Sequence, residues 1–337
     1  MPKFLPHLGL DIGAKTIKLV QLKQESETKY SLSALGQLAT SNGDKTEAIK
    51  KLIKEAKPTV SQAVIGLPES QVYTRVIEMP ALEEPELTQA IKWQAEQYIP
   101  VPLDDVELKH QVIRKFTGGS ASNPMMTVLL VAAPLNLLNE HLSIVQKAGL
   151  EVVSVETEIL AVGRALVGQN LFSPTTLLVH FGSDNTTLAI LSRGDLTLTQ
   201  AISSGGAAMT RAIASAAGLD IPQAEEYQKT YGLDMSKLEG KVATAIKPVA
   251  DIVIAEIQKS LAFYETRGGD DNVKRIVLSG GASLTPGLVT YFAEALPAEV
   301  QLGDPFINIT VNDRQKPEVN DSAAIYTAAV GLALKLL

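Results

Sequence analysis

The sequence has no cysteine, a single tryptophan and an aromatic content of 5%. Without cysteine there are no disulfides and no thiolate metal sites. Acidic residues outnumber basic ones, for a net charge of −7, the reverse of the basic footprint of a general nucleic-acid binder. No uninterrupted apolar run approaches the ~20 residues that span a bilayer. The opening MPKFLPHLGL lacks the basic-then-apolar pattern of a signal peptide. The closing ALKLL carries no basic amphipathic tail of the kind that lies on a membrane surface. These absences predict a soluble protein, compatible with a reducing cytosol, that reaches a membrane only if something else holds it there. GxxxxGK[ST], HExxH, GxSxG and paired-histidine patterns are also missing, which excludes a Walker-type phosphate loop and leaves no metalloprotease or hydrolase signature. Of the four histidines, His7, His110 and His141 read as incidental.

What is present is a repeat. Leu8–Leu22, LGLDIGAKTIKLVQL, and Leu177–Leu191, LLVHFGSDNTTLAIL, read as copies of one hairpin set 169 positions apart in a chain of 337. Each runs apolar strand, one polar residue, bulky apolar residue, glycine, polar turn, second strand. The duplication implies two related lobes, each offering a turn to a shared space. The polar position differs: Asp11 in the first copy, His180 in the second.

Strand patterns cover 8–12, 17–22, 32–38, 62–67 and 72–77, with a helix over 47–56 closed by Pro58. From Met79-Pro80 the composition shifts. EEPELTQAIKWQAEQYIPVP reads as a helix between Pro85 and Pro100, with Leu87, Ala90, Ile91, Ala95 and Tyr98 on one face. A strand near 106–115, a polar loop over 117–124, a strand over 126–133 and a helix over 135–148 follow, so that 80–154 reads as an inserted subdomain. A helix over 156–167 precedes three strands at 176–181, 187–192 and 196–201, the last two joined by an Arg193-Gly194-Asp195 turn. Helices over 206–217, 223–231 and 248–266, a strand over 275–279 and an Ala-rich helix over 321–334 complete the pattern. In the 248–266 helix, Ile252, Ile257, Leu261 and Tyr264 are expected to face inward. Alternating strands and helices place the fold in the α/β class.

Four glycine turns follow apolar strands: Gly13, Gly182, Gly205-Gly206 and Gly280-Gly281. Such turns expose backbone N–H groups able to meet phosphate oxygens, and in open α/β sheets ligands bind at strand ends. Taken singly, each is as well explained as a tight turn. Asp11 is a candidate to hold Mg²⁺ through water, with a turn cap as the alternative. Lys15, Thr16 and Lys18 could meet phosphates. Trp93 lies one position off the helical stripe and reads as a core-edge residue, with an exposed partner anchor as the alternative.

The ordered set LGLDIGAKTIKLV, VHFGSDNTTLAIL, SSGGAAMTRAI, AEEYQKTYG and RIVLSGGASLTPGL resembles the actin/Hsp70/sugar-kinase superfamily. Within it, MPALEEPELTQAIKWQAEQYIPVPLDDVELKHQV is similar to the actin-like family of type IV pilus assembly, a cousin of the cell-division protein FtsA. The resemblance implies a two-lobed actin-like ATPase fold built from duplicated RNase H-like domains, with ATP or ADP and Mg²⁺ in the cleft. It implies subdomain 1A over 1–79, 155–175 and 318–337, an FtsA-type inserted subdomain 1C over 80–154, 2A over 176–204 and 250–317, and 2B over 205–249. By motif position, Asp11, Gly13, Ala14, Lys15 and Thr16 would face phosphates and metal from one lobe, and Gly182, Ser183, Asp184 and Asn185 from the other. Gly205, Gly206, Glu225 and Gln228 would approach the ribose, and Gly280, Gly281, Ser283 and Leu284 the adenine.

The implied role is a cytoplasmic adaptor that binds the N-terminal peptide of the inner-membrane protein PilN, links it to other pilus machine components, and leaves self-association open. Trp93, Tyr98 and Ile99 are the residues guessed to meet that peptide. His180 replaces the usual Asp and Gln228 the usual Lys, so nucleotide binding with slow or absent hydrolysis is expected. A filament-forming ATPase like FtsA or MreB and a small-molecule kinase are the alternatives.

Overall fold

The computed structural model describes residues 4–40, 44–117, 124–168, 173–266 and 271–337. Strands β1 (Leu8–Ile12), β2 (Thr16–Ser26) and β3 (Lys29–Ala39) form an antiparallel meander. All five residues of β1 are buried. Helix α1 (Lys45–Ala56) starts at Asp44, whose side chain accepts from the Glu47 N–H, and ends at Lys57 in the left-handed conformation. Its Ala48, Ile49 and Leu52 pack on the sheet. β4 (Gln62–Leu67) then runs parallel to β1.

A single 3₁₀ turn, Glu69–Gln71, leads into an inserted layer. Here β5 (Tyr73–Pro80), α2 (Glu86–Tyr98), β6 (Val106–Thr117) and β7 (Pro124–Pro134) build a three-stranded antiparallel sheet in the order β5-β7-β6 under one helix. Leu87, Ile91 and Ala95, at successive i+4 positions, are the buried stripe of α2. Tyr98, expected on that stripe, is 44% exposed. Much of the polar loop expected over 117–124 lies outside the described residues. Next come α3 (Leu135–Lys147), β8 (Glu151–Thr157) and α4 (Glu158–Leu166). The expected single helix over 156–167 is therefore corrected: EVVSVET pairs in parallel with β4, and the helix begins only at Glu158. The inserted sheet itself spans Tyr73 to Pro134. Within the 80–154 range, α3 sends Val145 into the core beneath α1, and β8 joins the first sheet.

The second lobe opens with β9 (Thr176–Phe181), β10 (Thr186–Ser192) and β11 (Asp195–Ile202). Arg193 and Gly194 both have positive φ, 54° and 85°, as a two-residue type I′ turn requires. Helices α5 (Gly206–Ala217), α6 (Ile221–Tyr231) and α7 (Lys241–Thr266) follow. Pro248 sits inside α7 and not at its start, and Ile252 points to solvent at 53% exposure, since the buried face is Val253, Ile254, Ile257, Leu261 and Tyr264. Then come β12 (Arg275–Ser279), α8 (Leu288–Ala295), β13 (Glu299–Leu302), β14 (Ile309–Thr310), α9 (Lys316–Ser322) and α10 (Thr327–Ala333). The expected final helix is thus broken by a 3₁₀ turn at Ala323–Tyr326, where the Ala324 carbonyl accepts the Gly280 N–H at 2.9 Å.

The two lobes carry the same five-strand order: β3-β2-β1-β4-β8 in one, with β14 added beside β3, and β11-β10-β9-β12-β13 in the other. In both, the third strand runs antiparallel to the second and parallel to the fourth. Helices α4 and α10 fill the space between the sheets. Ile159 and Val162 of α4 and Ala328 of α10 pack on Leu178, Ala189 and Val277 of the second sheet, while Ala329 and Ala333 pack with Val20, Leu22 and Leu35 of the first. Gly9 makes that layer possible: a Cβ there would lie 2.0 Å from the Ala329 carbonyl oxygen.

Candidate functional site

Both glycine hairpins turn in the same way. Ile12 pairs with Ile17 across the first and Phe181 with Thr186 across the second. A Cβ on Gly13 would sit 2.7 Å from the Thr16 oxygen, and one on Gly182 would sit 2.9 Å from the Asn185 oxygen, so each turn closes too tightly for a side chain. The first turn exposes Ala14 and Lys15, and Thr40 braces it, donating to the Ala14 and Lys15 carbonyls. In the second, Gly182 N–H donates to Asn185 O, and Ser183 donates to Asp184 at 3.1 Å.

The turn over 182–185 lies on the start of α5. Gly206 and Ala207 donate their N–H groups to Gly182 and Ser183 oxygens at 2.9 and 2.8 Å. A Cβ on Gly205 would collide with those same carbonyls at 2.7 and 2.5 Å. The two glycines therefore allow backbone to meet backbone, and these two N–H groups of the helix start are spent inside the protein.

Beneath the turns lies a buried polar cluster. Asp11 on β1 is bonded to Lys18 on β2 at 3.0 Å, the two being register partners. Burial pushes the Asp11 carboxyl up and Glu158 adds to that, while Lys18 and His180 oppose it. Across the interlobe space, His180 lies between Ser279 Oγ, 3.0 Å from Nδ1, and Glu158 Oε1, 3.2 Å from Nε2. Burial alone would raise Glu158, but the attraction of His180, its hydrogen bond and Lys18 hold the carboxyl below its ordinary value. Glu158 and Ser279 were not singled out from sequence. Glu158 sits at the start of α4, in the first turn of the helix read over 156–167, and Ser279 precedes the glycine pair it might have been read with.

Further out, Lys15 of the first lobe reaches Glu225 on α6 of the second at 3.2 Å. Lys15 and Lys229 hold the Glu225 carboxyl down against its partial burial. Gly281 is exposed, with no atom within 4 Å of where its Cβ would stand, and Leu284 is half-buried beside it. Gly280 has φ +84° and would place a Cβ 2.5 Å from the Phe181 oxygen. Ser283 is buried and donates to the Gly280 carbonyl, so it closes its own turn. Gln228 is a correction. Its amide is sealed among Thr210, Thr285 and Met209, with Thr210 donating to it at 2.7 Å, and is not open to the cleft. On α2, Trp93 is 61% exposed, which overturns the core-edge reading, while Ile99 is buried. Tyr98 carries the Arg75 guanidinium 5.5 Å from its ring centre.

The two turns present an exposed Lys15 ammonium, the Thr16 and Ser183 hydroxyls and the Asn185 amide, donors of the kind that meet phosphate oxygens, while Lys18 is taken by Asp11. The site does not suit a metal held directly. Among the described residues no group of three or more His, Asp or Glu side chains could hold an ion, and the Asp11 carboxylate is already engaged by Lys18.

Two copies of one five-stranded sheet, each presenting a glycine hairpin to a common cleft, define an actin-like ATPase fold. A family model described as type IV pilus assembly protein PilM matches residues 9–337, and the chain belongs to that family. A solved PilM-PilN type IV pilus biogenesis complex is similar at 25% identity, covering 98% of each chain with a TM-score of 0.83. The ethanolamine utilization protein EutJ of Carboxydothermus hydrogenoformans shares the fold at 17% identity, with 99% of this chain and 92% of that one covered and a TM-score of 0.58. Component A of the (R)-2-hydroxyglutaryl-CoA dehydratase of Acidaminococcus fermentans does so at 13% identity, covering 98% and 97%, with a TM-score of 0.50. Among the described residues, no helix is long and apolar enough to cross a membrane.

Proposed function

We propose that this protein is a nucleotide-binding adaptor of a type IV pilus assembly machine. It takes the N-terminal peptide of PilN and works at the cytoplasmic face of the inner membrane, held there by that partner. The observation that carries the reading is the full-length similarity to the PilM-PilN complex, joined to a cleft whose two hairpins and bridging Lys15–Glu225 pair suit a polyphosphate. In this reading the inserted subdomain 1C is drawn from Tyr73 to Pro134, the extent of its three-stranded sheet.

The peptide lies in a groove of about 1090 Å³ between the inserted layer and the second lobe, lined among others by Tyr73, Arg75, Tyr98, Ile99, Thr199 and Phe263. Strand β5 is an edge of the inserted sheet and β11 an edge of the second lobe's sheet, so an extended segment has backbone to pair with. Tyr98 offers an exposed ring and Ile99 serves as buried floor, while Trp93 is exposed on the same helix outside the groove's lining.

Hydrolysis is slow or absent in this reading. His180 stands in place of a carboxylate and is bound to Glu158 and Ser279, and Asp11 is bound to Lys18, so the carboxylates at the cleft floor are already engaged, and Asp184 lies four residues further along the turn. A magnesium ion would arrive with the phosphates and be met through water. Calorimetry with a synthetic PilN N-terminal peptide, with and without Mg·ATP, tests the adaptor. Micromolar or tighter binding supports it, and no binding in either state sinks it. Steady-state phosphate release at a rate comparable to an active Hsp70-type ATPase would refute the hydrolysis part.

A further inference from the structure

We propose that the single turn Glu69–Gln71 relays the state of the nucleotide cleft to the groove that takes the peptide. The inference rests on the adaptor reading for what occupies the two sites, and on geometry for the link between them.

The turn joins β4, which lies between β1 and the edge strand β8 of the first sheet, to β5, an edge strand of the inserted sheet. Two of its three side chains cross to the second lobe. Ser70 Oγ accepts from the Asn185 amide at 2.9 Å. Asn185 lies in the hairpin turn whose backbone is fastened to the start of α5, so Ser70 touches the cleft's own loop. Glu69 Oε1 accepts from the Thr199 hydroxyl at 3.2 Å, and Thr199 is on β11, in the opposite wall of the groove. Neighbouring side chains of one short turn are thus bonded to the two sites separately.

The turn has little slack. Val72 on its far side is buried, and β5 begins at the next residue. A shift of the 182–185 loop must either break the Ser70 bond or carry the turn with it, and with the turn the start of β5. Glu69 is poised for such a shift. It is 5% exposed, its Oε2 has no hydrogen-bond partner, and burial pushes its carboxyl up to about 7. Hydroxyls of Thr74, Thr199 and Thr157 act against that rise, whereas the charge of Glu158 adds to it. Glu158 is also the partner of His180 at the cleft floor, while the direct bond from the turn to the cleft is the one through Ser70. Because the direct link is one exposed hydrogen bond, the coupling is capped at about tenfold, and it must act equally in both directions.

The test is hydrogen exchange over residues 69–80 of the full chain, with and without Mg·ATP, in the native protein, Ser70→Ala and Ser70→Thr. Nucleotide is expected to change exchange there in the native protein and in Ser70→Thr, which keeps the hydroxyl, and not in Ser70→Ala. Ser70 is exposed, so neither variant should disturb folding. In parallel, the ratio of peptide Kd values with and without nucleotide should fall to one in Ser70→Ala, with nucleotide affinity changed by no more than that tenfold. The relay is overturned if nucleotide leaves exchange over 69–80 untouched in the native protein, or if Ser70→Ala keeps the native response. Should the peptide bind no form of the protein, the adaptor reading falls, and the exchange experiment alone decides the relay.

Discussion

The two hairpins share a backbone and differ in what they bury. In the first, Asp11 faces Lys18 across the strand pair and the charge is settled within one lobe. In the second, the matching register pair is His180 and Thr187. Thr187 leaves a buried hydroxyl without a partner, and His180 looks outward to Glu158 of the other lobe and to Ser279. One copy finds its hydrogen-bonded partner on its own hairpin, while the other reaches for Glu158 in the lobe opposite. A duplicated fold can thus hold a cleft together asymmetrically, the same register position serving one lobe as an internal pair and the other as a bridge.

The comparison can be broken most severely at position 9, where the second copy has Leu178. Gly9→Leu makes the copies alike, but drives a side chain into the Ala329 carbonyl. Failure to fold, or a loss of about 5 kcal/mol in urea denaturation, is expected. Lys18→Met is next. It keeps the stem's volume but leaves Asp11 buried without its cation, at a cost of about 4 kcal/mol near neutral pH. That cost should shrink in acid, where Asp11 is protonated, so denaturation at two pH values checks it.

At the junction of the lobes, Glu69→Gln removes a carboxyl whose pKa in the fold is raised to about 7 from 4.5. Below about pH 4.5 the acid is protonated whether folded or not and the two proteins should be equally stable. Between about pH 4.5 and 7 the unfolded chain ionises this carboxyl while the fold keeps its proton, so the variant should gain up to about 3 kcal/mol across that window and hold the gain above it. A stability difference that is flat with pH would contradict this. The smallest effect belongs to Lys15→Ala. Its bridge to Glu225 spans the lobes but is well exposed, so less than about 1 kcal/mol should be lost, and that only at low salt.

The hairpin repeat was readable because glycine, alternating apolar residues and turn chemistry are local signals, and both copies fold as read. The pairing of Glu158 with His180 was not, because it joins residues on two elements of different lobes, and strand β8 hid the true start of α4. Gln228 matched a motif position, yet its surroundings of Thr210 and Thr285 arise only when α5, α6 and the 280s turn come together. Trp93 was misjudged for a simpler reason: being one place off a helical stripe is compatible with either side of the boundary, and packing decides. The limits of the inserted layer were blurred because α3 and β8 lie beside it in sequence but belong to the first lobe's packing.

The contact between Gly9 and α10 has a consequence for how the protein is made. Strand β1 leaves the ribosome long before α10, yet one of its faces is covered by residues 329 and 333. At about 5 to 20 residues per second, that face waits roughly 15 to 60 seconds for its cover. Gly331 tightens the same joint, since a Cβ there would fall 1.8 Å from the Ala161 oxygen of α4. Nascent chains stopped short of residue 333 should therefore hold an unfinished first lobe beside a second lobe whose strands and helices have already emerged, and be the form of this protein most in need of a chaperone.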